Sequence, residues 1–285
     1  MKTASIYIML CFIWGSTWMT IKIGLTDAPP LYASGLRFVL AITILFAIIA
    51  LKRYSLPATL SETLRLGYPG LYMYGASYGF IYSAEQYLSS SLTAVLFASF
   101  PFFVALLSSW VLKVEKLRLA AWVGLFIGLS GIVVIFRESL QVSGSVLVGF
   151  ALVLCGSLAA AYGMLLHKKH FADRNIYVSA GVQMTVGGIP ILLAAFLLEP
   201  WTQFSWSPAT VGSILYLAIF GSVIAFVAYY WLLSHTRAVT VSLIAFITPL
   251  VALLVGCALY GETLSWHTGL GAGLILVGVA LVVSK

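Results

Sequence analysis

Apolar residues run along this chain in blocks of about 20. Short polar breaks separate them at Pro29-Pro30, Lys52-Arg53, 113–118, Arg137-Glu138, 167–174 and Glu199-Pro200. A helix needs about 20 mostly apolar residues to cross about 30 Å of hydrocarbon, and in lipid every backbone polar group must be bonded within the protein. The pattern predicts ten transmembrane helices, near 4–24, 29–51, 67–88, 92–112, 117–136, 146–168, 176–198, 208–233, 239–260 and 264–284. No gap is long enough for a soluble domain. Residues 1–24 exceed a signal-peptide core and lack a clear small-residue cleavage site, so they read as a span. The expected fold class is an all-α integral membrane protein.

Composition agrees: 62% of the residues are hydrophobic and 8% charged, with a mean hydropathy of +1.07. A soluble domain carries about a quarter charged residues. The net charge of +7 forms no basic stripe, which argues against a nucleic-acid partner and makes the charge a report of topology. With the N-terminus inside, the inner segments hold Lys2, Lys52, Arg53, Arg65, Lys113, Lys116, Arg118, Lys168, Lys169, Arg174, Arg237 and Lys285, while the outer loops keep Lys22 and Arg137. This positive-inside bias predicts a multi-pass protein of the inner (plasma) membrane with both termini cytoplasmic. Cys11, Cys155 and Cys257 lie singly in apolar runs, so neither a disulfide, a metal site nor a cofactor is expected.

The two halves match. "SGLRFV" against "AGVQMT" aligns Gly35 with Gly181 and Arg37 with Gln183 at an offset of 146, and Pro101 meets Pro249 at 148. At 147, Glu115 pairs with Glu262, Gly124 with Gly271 and Gly131 with Gly278. Five spans is an odd number, so the second half must enter the membrane in the opposite sense. The expected architecture is two inverted-topology five-helix repeats, residues 1–138 and 146–285, as in many carriers that alternate access around a midplane site.

The segments "WGSTWMTIKIGL", "PPLYASGLRF", "SLTAVLFASFPFFVALLS" followed by "EKL", and "GETLSWHTGLGAGLILVGV" resemble the EamA-type family of the drug/metabolite transporter superfamily over essentially the whole chain. That resemblance implies export of amino acids, other metabolites or toxic compounds, with a central cavity lined by spans 1, 3, 4, 6, 8 and 9.

Arg37 is the most informative side chain. A guanidinium about eight residues into span 2 must find a partner, water or a ligand; it either attracts an anionic group in a wet cavity or anchors a neighbouring helix. Gln183 is its repeat mate. Trp14 and Trp18 share a face beside the small polar strip Gly15-Ser16-Thr17, which is a cavity wall or a packing seam. Lys22 reads as an outer-interface residue. Tyr78 and Tyr82 belong to a tyrosine face turned inward, with Tyr229 and Tyr230 opposite. Pro101 and Pro249 each free the carbonyl one turn back, at Phe97 and Ala245, beside Ser99 and Thr248. The candidate substrate-binding set is Trp14, Ser16, Trp18, Arg37, Tyr78, Tyr82, Ser99, Pro101, Tyr162, Gln183, Tyr230, Thr248 and Pro249. The glycines of spans 5 and 10 serve close packing, between those spans or at a homodimer face. Glu85 is the candidate coupling carboxylate.

No HExxH, GxSxG or GxGD constellation points to an intramembrane enzyme, and His167, His170, His235 and His267 read as scattered interfacial residues. No catalytic residue is assigned. The reading is a secondary transporter in the lipid bilayer moving a small-molecule substrate, most simply an exporter of amino acids or related metabolites. A polyspecific drug exporter and a channel are the alternatives.

Overall fold

The computed structural model describes residues 2–136, 144–251 and 266–284, and among these it contains helices and no strand. The helices are α1 (Lys2–Gly24), α2 (Pro30–Leu51), α3 (Leu60–Gly70), α4 (Ser77–Ala84), α5 (Ser90–Phe97), α6 (Phe100–Leu106), α7 (Leu119–Phe136), α8 (Gly144–Phe171), α9 (Ile176–Leu198), α10 (Pro208–Ala218), α11 (Ala225–His235), α12 (Ala238–Val251) and α13 (Trp266–Val283). Lys2–Gly24, Pro30–Leu51, Leu92–Val111, Val146–Phe171, Ile176–Leu198 and Pro208–His235 are long and apolar enough to cross a membrane, and shorter apolar helices cover Leu119–Val134, Ala238–Val251 and Gly269–Val283. The chain is a multi-pass helical membrane protein. Arg137, Cys257 and Glu262 lie outside the described residues.

Local chemistry sets the boundaries. Ser89, Asn175 and Ser207 each accept a backbone N–H from the first turn that follows them, and Pro30 and Pro208 sit where a missing N–H costs nothing. Thr59 and Glu62 form a reciprocal capping box, Thr59 Oγ1 accepting from the Glu62 N–H and Glu62 Oε2 from the Ala58 N–H. This cap starts the third helical run at Leu60, seven residues before hydropathy places it, because its first turn is polar. The same run ends at Ala84, which leaves Glu85 beyond the helix. In the fourth predicted span the chain turns at Ala98-Ser99 between α5 and α6, where Pro101 has no N–H to continue the ladder.

Among the described residues three runs widen into π-helical turns, Leu71–Ala76 between α3 and α4, Leu107–Val111 after α6 and Ile219–Ile224 between α10 and α11. A π turn withdraws carbonyls from the ordinary i to i+4 ladder, and such turns cluster at functional sites. The first and the last stand 148 residues apart.

Two helix pairs show reciprocal contacts. Gly124 of α7 lies against the Gly278 carbonyl of α13, and Gly131 lies against the Gly271 carbonyl. Exchanging each glycine for its match in the other half converts the first contact into the second, so the contact is reciprocal. Likewise Gly35 of α2 packs on Leu192 of α9, and Gly181 of α9 packs on Phe46 of α2, Leu192 and Phe46 being 146 apart. Close backbone approach replaces the hydrophobic effect as the source of attraction between helices in lipid. Gly269 and Gly273 have open space where a side chain would go.

A bulky residue at Gly278 would meet the Gly124 carbonyl and the Gly128 backbone, atoms that cannot step aside. Gly278→Leu is expected to cost about 1–3 kcal/mol through overpacking, read as a lowered thermal unfolding midpoint in detergent, whereas Gly273→Leu is expected to change it little.

Candidate functional site

A cavity of about 100 Å³ lies at the centre of the bundle. Its wall takes Trp14, Thr17, Trp18 and Ile21 from α1, Arg37 from α2, Met73 from the first π turn, Ser77, Tyr78 and Ile81 from α4, Phe97 from α5 and Phe100 from α6. Ala160 of α8, Phe226 and Tyr229 of α11, and Val241, Ser242, Ile244, Ala245 and Thr248 of α12 complete it. The helices falling in predicted spans 1, 3, 4, 6, 8 and 9 therefore all contribute, with Arg37 added from the second.

Arg37 is only 1% exposed. Its Nε donates to Ser222 Oγ at 2.8 Å, Nη1 to the Tyr82 hydroxyl at 3.2 Å and Nη2 to the Gly221 carbonyl at 3.0 Å. The guanidinium also stacks over the Tyr78 ring, 4.8 Å from its centroid. Among the described residues no carboxylate comes within ion-pair distance of it. The π turn supplies both Gly221 and Ser222, and the absence of a side chain at Gly221 is what lets Nη2 and the Thr17 methyl approach. Trp14 Nε1 adds a long bond of 3.4 Å to the same carbonyl.

Gln183 builds a second, neutral network. It is fully buried; its Oε1 accepts from the Tyr230 hydroxyl at 2.6 Å and its Nε2 donates to His167 Nδ1 at 2.9 Å. Tyr74, from the first π turn, donates to the Tyr230 oxygen at 2.9 Å, and the His167 ring stacks on Tyr230 with centroids 4.0 Å apart. The two networks share a plan: a polar residue on α2 or α9 meets a tyrosine on α4 or α11 and, directly or through that tyrosine, a residue in the other half's π turn. The pairs are Arg37 with Gln183, Tyr82 with Tyr230, and Ser222 with Tyr74.

The cavity brings together Trp14, Trp18, Arg37, Tyr78 and Thr248 from the candidate set. The others stand behind or beside its wall. Tyr82, Gln183 and Tyr230 are held in the two networks, and Ser16 Oγ bonds the Ile13 carbonyl and the Tyr216 hydroxyl, each at 2.7 Å. Gly15 rests on Val251 and the Thr248 carbonyl, so Gly15 and Ser16 pack α1 on α12 and α10 while Thr17 and the tryptophans face the cavity. Tyr162 packs edge-on against Tyr72 at 4.9 Å. Ser99 Oγ is buried without a partner beside Pro101, and Thr248 Oγ1 reaches back 3.4 Å to the Ala245 carbonyl that Pro249 frees.

Three features went unseen in the sequence. His167, expected at an interface, is 2% exposed within the Gln183 network. Gly221 and Ser222 become the Arg37 site only through a π turn, which leaves no compositional mark. Lys22 caps α4, its Nζ donating to the carbonyls of Glu85 at 2.6 Å and Leu88 at 3.2 Å. Lys168, 146 positions on, caps α11 in the same way through Leu233 at 2.5 Å and Thr236 at 3.0 Å. Beside the Lys22 end, Glu199 receives the N–H groups of Leu31 and Tyr32 at the start of α2. Burial pushes its carboxyl above the ordinary value, and those two N–H groups draw it back.

The model of the EamA-like transporter family matches residues 1–137 and again residues 147–284. The chain belongs to this family. It is 33% identical over 277 residues to the uncharacterized inner membrane transporter YedA of Escherichia coli, covering 96% of this chain and 88% of the relative. It is 29% identical over 282 residues, 95% of this chain and 93% of the relative, to the uncharacterized transporter YoaV of Bacillus subtilis. A probable amino-acid metabolite efflux pump of Salmonella typhimurium is 28% identical over 288 residues, 98% of this chain and 93% of that protein. A crystal structure with 17% sequence identity superposes with a TM-score of 0.80 over 99% of this chain and 97% of the other, which shows a shared fold. Family membership places the EamA-like chain among transporters, outside the enzyme classes.

Tyr230→Phe keeps the ring stacked on His167 but removes the hydroxyl that Gln183 Oε1 and Tyr74 both use. Leaving buried polar atoms unsatisfied costs about 1–3 kcal/mol, so this variant is expected to unfold more readily in detergent, and the double variant with Gln183→Leu is expected to recover part of that loss.

Proposed function

We propose that the protein is an inner-membrane secondary carrier that exports amino acids or related carboxylate-bearing metabolites by alternating access about the central cavity. The observation that carries this reading is Arg37, a buried cation in an aromatic cavity wall with no described carboxylate partner. Its hydrogen bonds go to neutral groups, so its charge is left for a cargo anion. Trp14, Trp18, Phe226 and Tyr229 offer faces to an apolar side chain. Phe97 and Ala245, whose carbonyls lose their helical N–H partners to Pro101 and Pro249, also belong to the wall and suit an ammonium group. The relative named as a probable amino-acid metabolite efflux pump supports this cargo class.

Ten spans in two inverted-topology repeats, 1–138 and 146–285, belong to the same proposal. The double family match, the reciprocal glycine contacts, the paired π turns and the paired lysine caps support it. The distribution of Lys and Arg supports cytoplasmic termini, which puts the Lys22 end of the bundle outside.

Reconstituted protein offered labelled aromatic, aliphatic and hydroxylated amino acids and one cationic dye is expected to carry at least one amino acid with saturable kinetics. Arg37→Gln is expected to lower kcat/KM for that cargo at least about tenfold, about 1.4 kcal/mol. Dye flux alone, or amino-acid flux indifferent to the substitution, would make Arg37 a helix anchor and the protein a polyspecific drug exporter. A flux that never saturates would make it a channel.

A further inference from the structure

The Lys22 end of the bundle holds a vestibule of about 880 Å³, bordered by Lys22, Asp27, Glu85, Glu199 and Gln203. Glu85 lies at its floor, one residue past α4. Although it borders this water-sized space its side chain is 0% exposed, and neither carboxylate oxygen has a hydrogen-bond partner. The neighbouring cation does not answer it: Lys22 donates to backbone carbonyls, those of Glu85 itself and Leu88. The other ionisable groups nearby are engaged elsewhere. Tyr82, one turn back, holds Arg37; Asp27 accepts from Ser207 Oγ at 2.6 Å; Glu199 caps α2. Where α8 packs on this loop it brings Gly149 against Leu88, and residues 146–153 of α8 and 89–97 of α5 contain no ionisable group.

The two bonds of the lysine cap go to carbonyls and do not involve this carboxylate. At the other end Lys168 caps α11 through the matching pair of carbonyls, and the residues matching Glu85 there are Leu232 and Leu233. An ionised carboxylate stripped of water and hydrogen bonds is strongly disfavoured against its neutral form. A buried acid with no hydrogen-bond partner, beside an open vestibule, has a proton as its simplest ligand.

We propose that Glu85 is a proton-binding site that gates this end of the molecule, protonated while the vestibule floor is closed and ionised once the floor opens and water or the Lys22 ammonium reaches it. Calling this end the outer one rests on the carrier reading; the protonation itself does not. The closed form then binds one more proton than the open form, so acid outside holds the floor closed and a rise in external pH releases it.

Two measurements on the full chain in liposomes test this. In an infrared titration from about pH 5 to about pH 9, the wild type is expected to lose a carboxylic-acid carbonyl band that Glu85→Gln lacks and Glu85→Asp retains at a shifted frequency. Exchange of labelled phenylalanine at equal pH on both sides is expected to rise at least about threefold from about pH 6 to about pH 8 in the wild type and to stay flat in Glu85→Gln. An identical band in Glu85→Gln, or an unchanged exchange profile, would overturn the proposal. Exchange absent from every variant with the band assigned to Glu85 would count against the carrier reading and leave the proton site standing. Should Glu85→Gln fail to fold, the shifted band of Glu85→Asp decides the assignment alone.

Discussion

One buried guanidinium organises this molecule. Arg37 sits where an unpaired charge costs at least about 3 kcal/mol, and the groups that offset the cost come from two other elements. The hydroxyls of Tyr82 and Ser222, the carbonyl of Gly221 and the ring of Tyr78 tie α2 to α4 and to the π turn before α11. The hydrogen-bond partners are 45 to 185 residues away in sequence, so α2 can be placed correctly only when both halves of the chain have met. None of them cancels the charge. A structural anchor could do the same work with an amide, as Gln183 does on the matching helix, and the choice of arginine at one site alone is what gives the cavity wall its positive charge.

The contrast between the two networks locates the asymmetry. Helix packing is reciprocal: Gly124 on Gly278 answers Gly131 on Gly271, and Lys22 on α4 answers Lys168 on α11. Chemistry is not. Arginine faces glutamine, and Glu85 faces leucine. Matching backbones supply the close contacts, while the residues that differ between the halves give each its own chemistry.

Much of the fold was legible in the sequence because hydropathy, proline and capping residues act locally. The helix Ile176–Leu198 falls where the pattern puts it, and Pro101 marks the α5–α6 turn. The third run shows the limit: the Thr59–Glu62 cap, a local signal, moved its start into polar residues that a hydropathy window discounts. The site was legible as far as depth within a span could carry it, which is how Arg37, Trp14 and Tyr78 were found. His167 was misjudged, and the cap made by Lys22 missed, for the opposite reason. Each lies near a span end, where exposure is the default, and what distinguishes them is a partner more than a dozen residues away that only tertiary packing brings within reach.

The lysine caps bear on how such a molecule could move. Both are made at once, at opposite ends of the bundle, and the central cavity between them is small, as in a form closed on both sides. Each cap consists of two charge-assisted bonds of about 1.5–3 kcal/mol, partly buried in the bundle. Opening either end by moving α1 away from α4, or α8 away from α11, must break one cap and can leave the other intact. A cargo shifts that balance only by the difference in its affinity for the two forms. In the proposed carrier Arg37 would supply that difference, through a cargo that competes for its contacts with α4 and the π turn before α11.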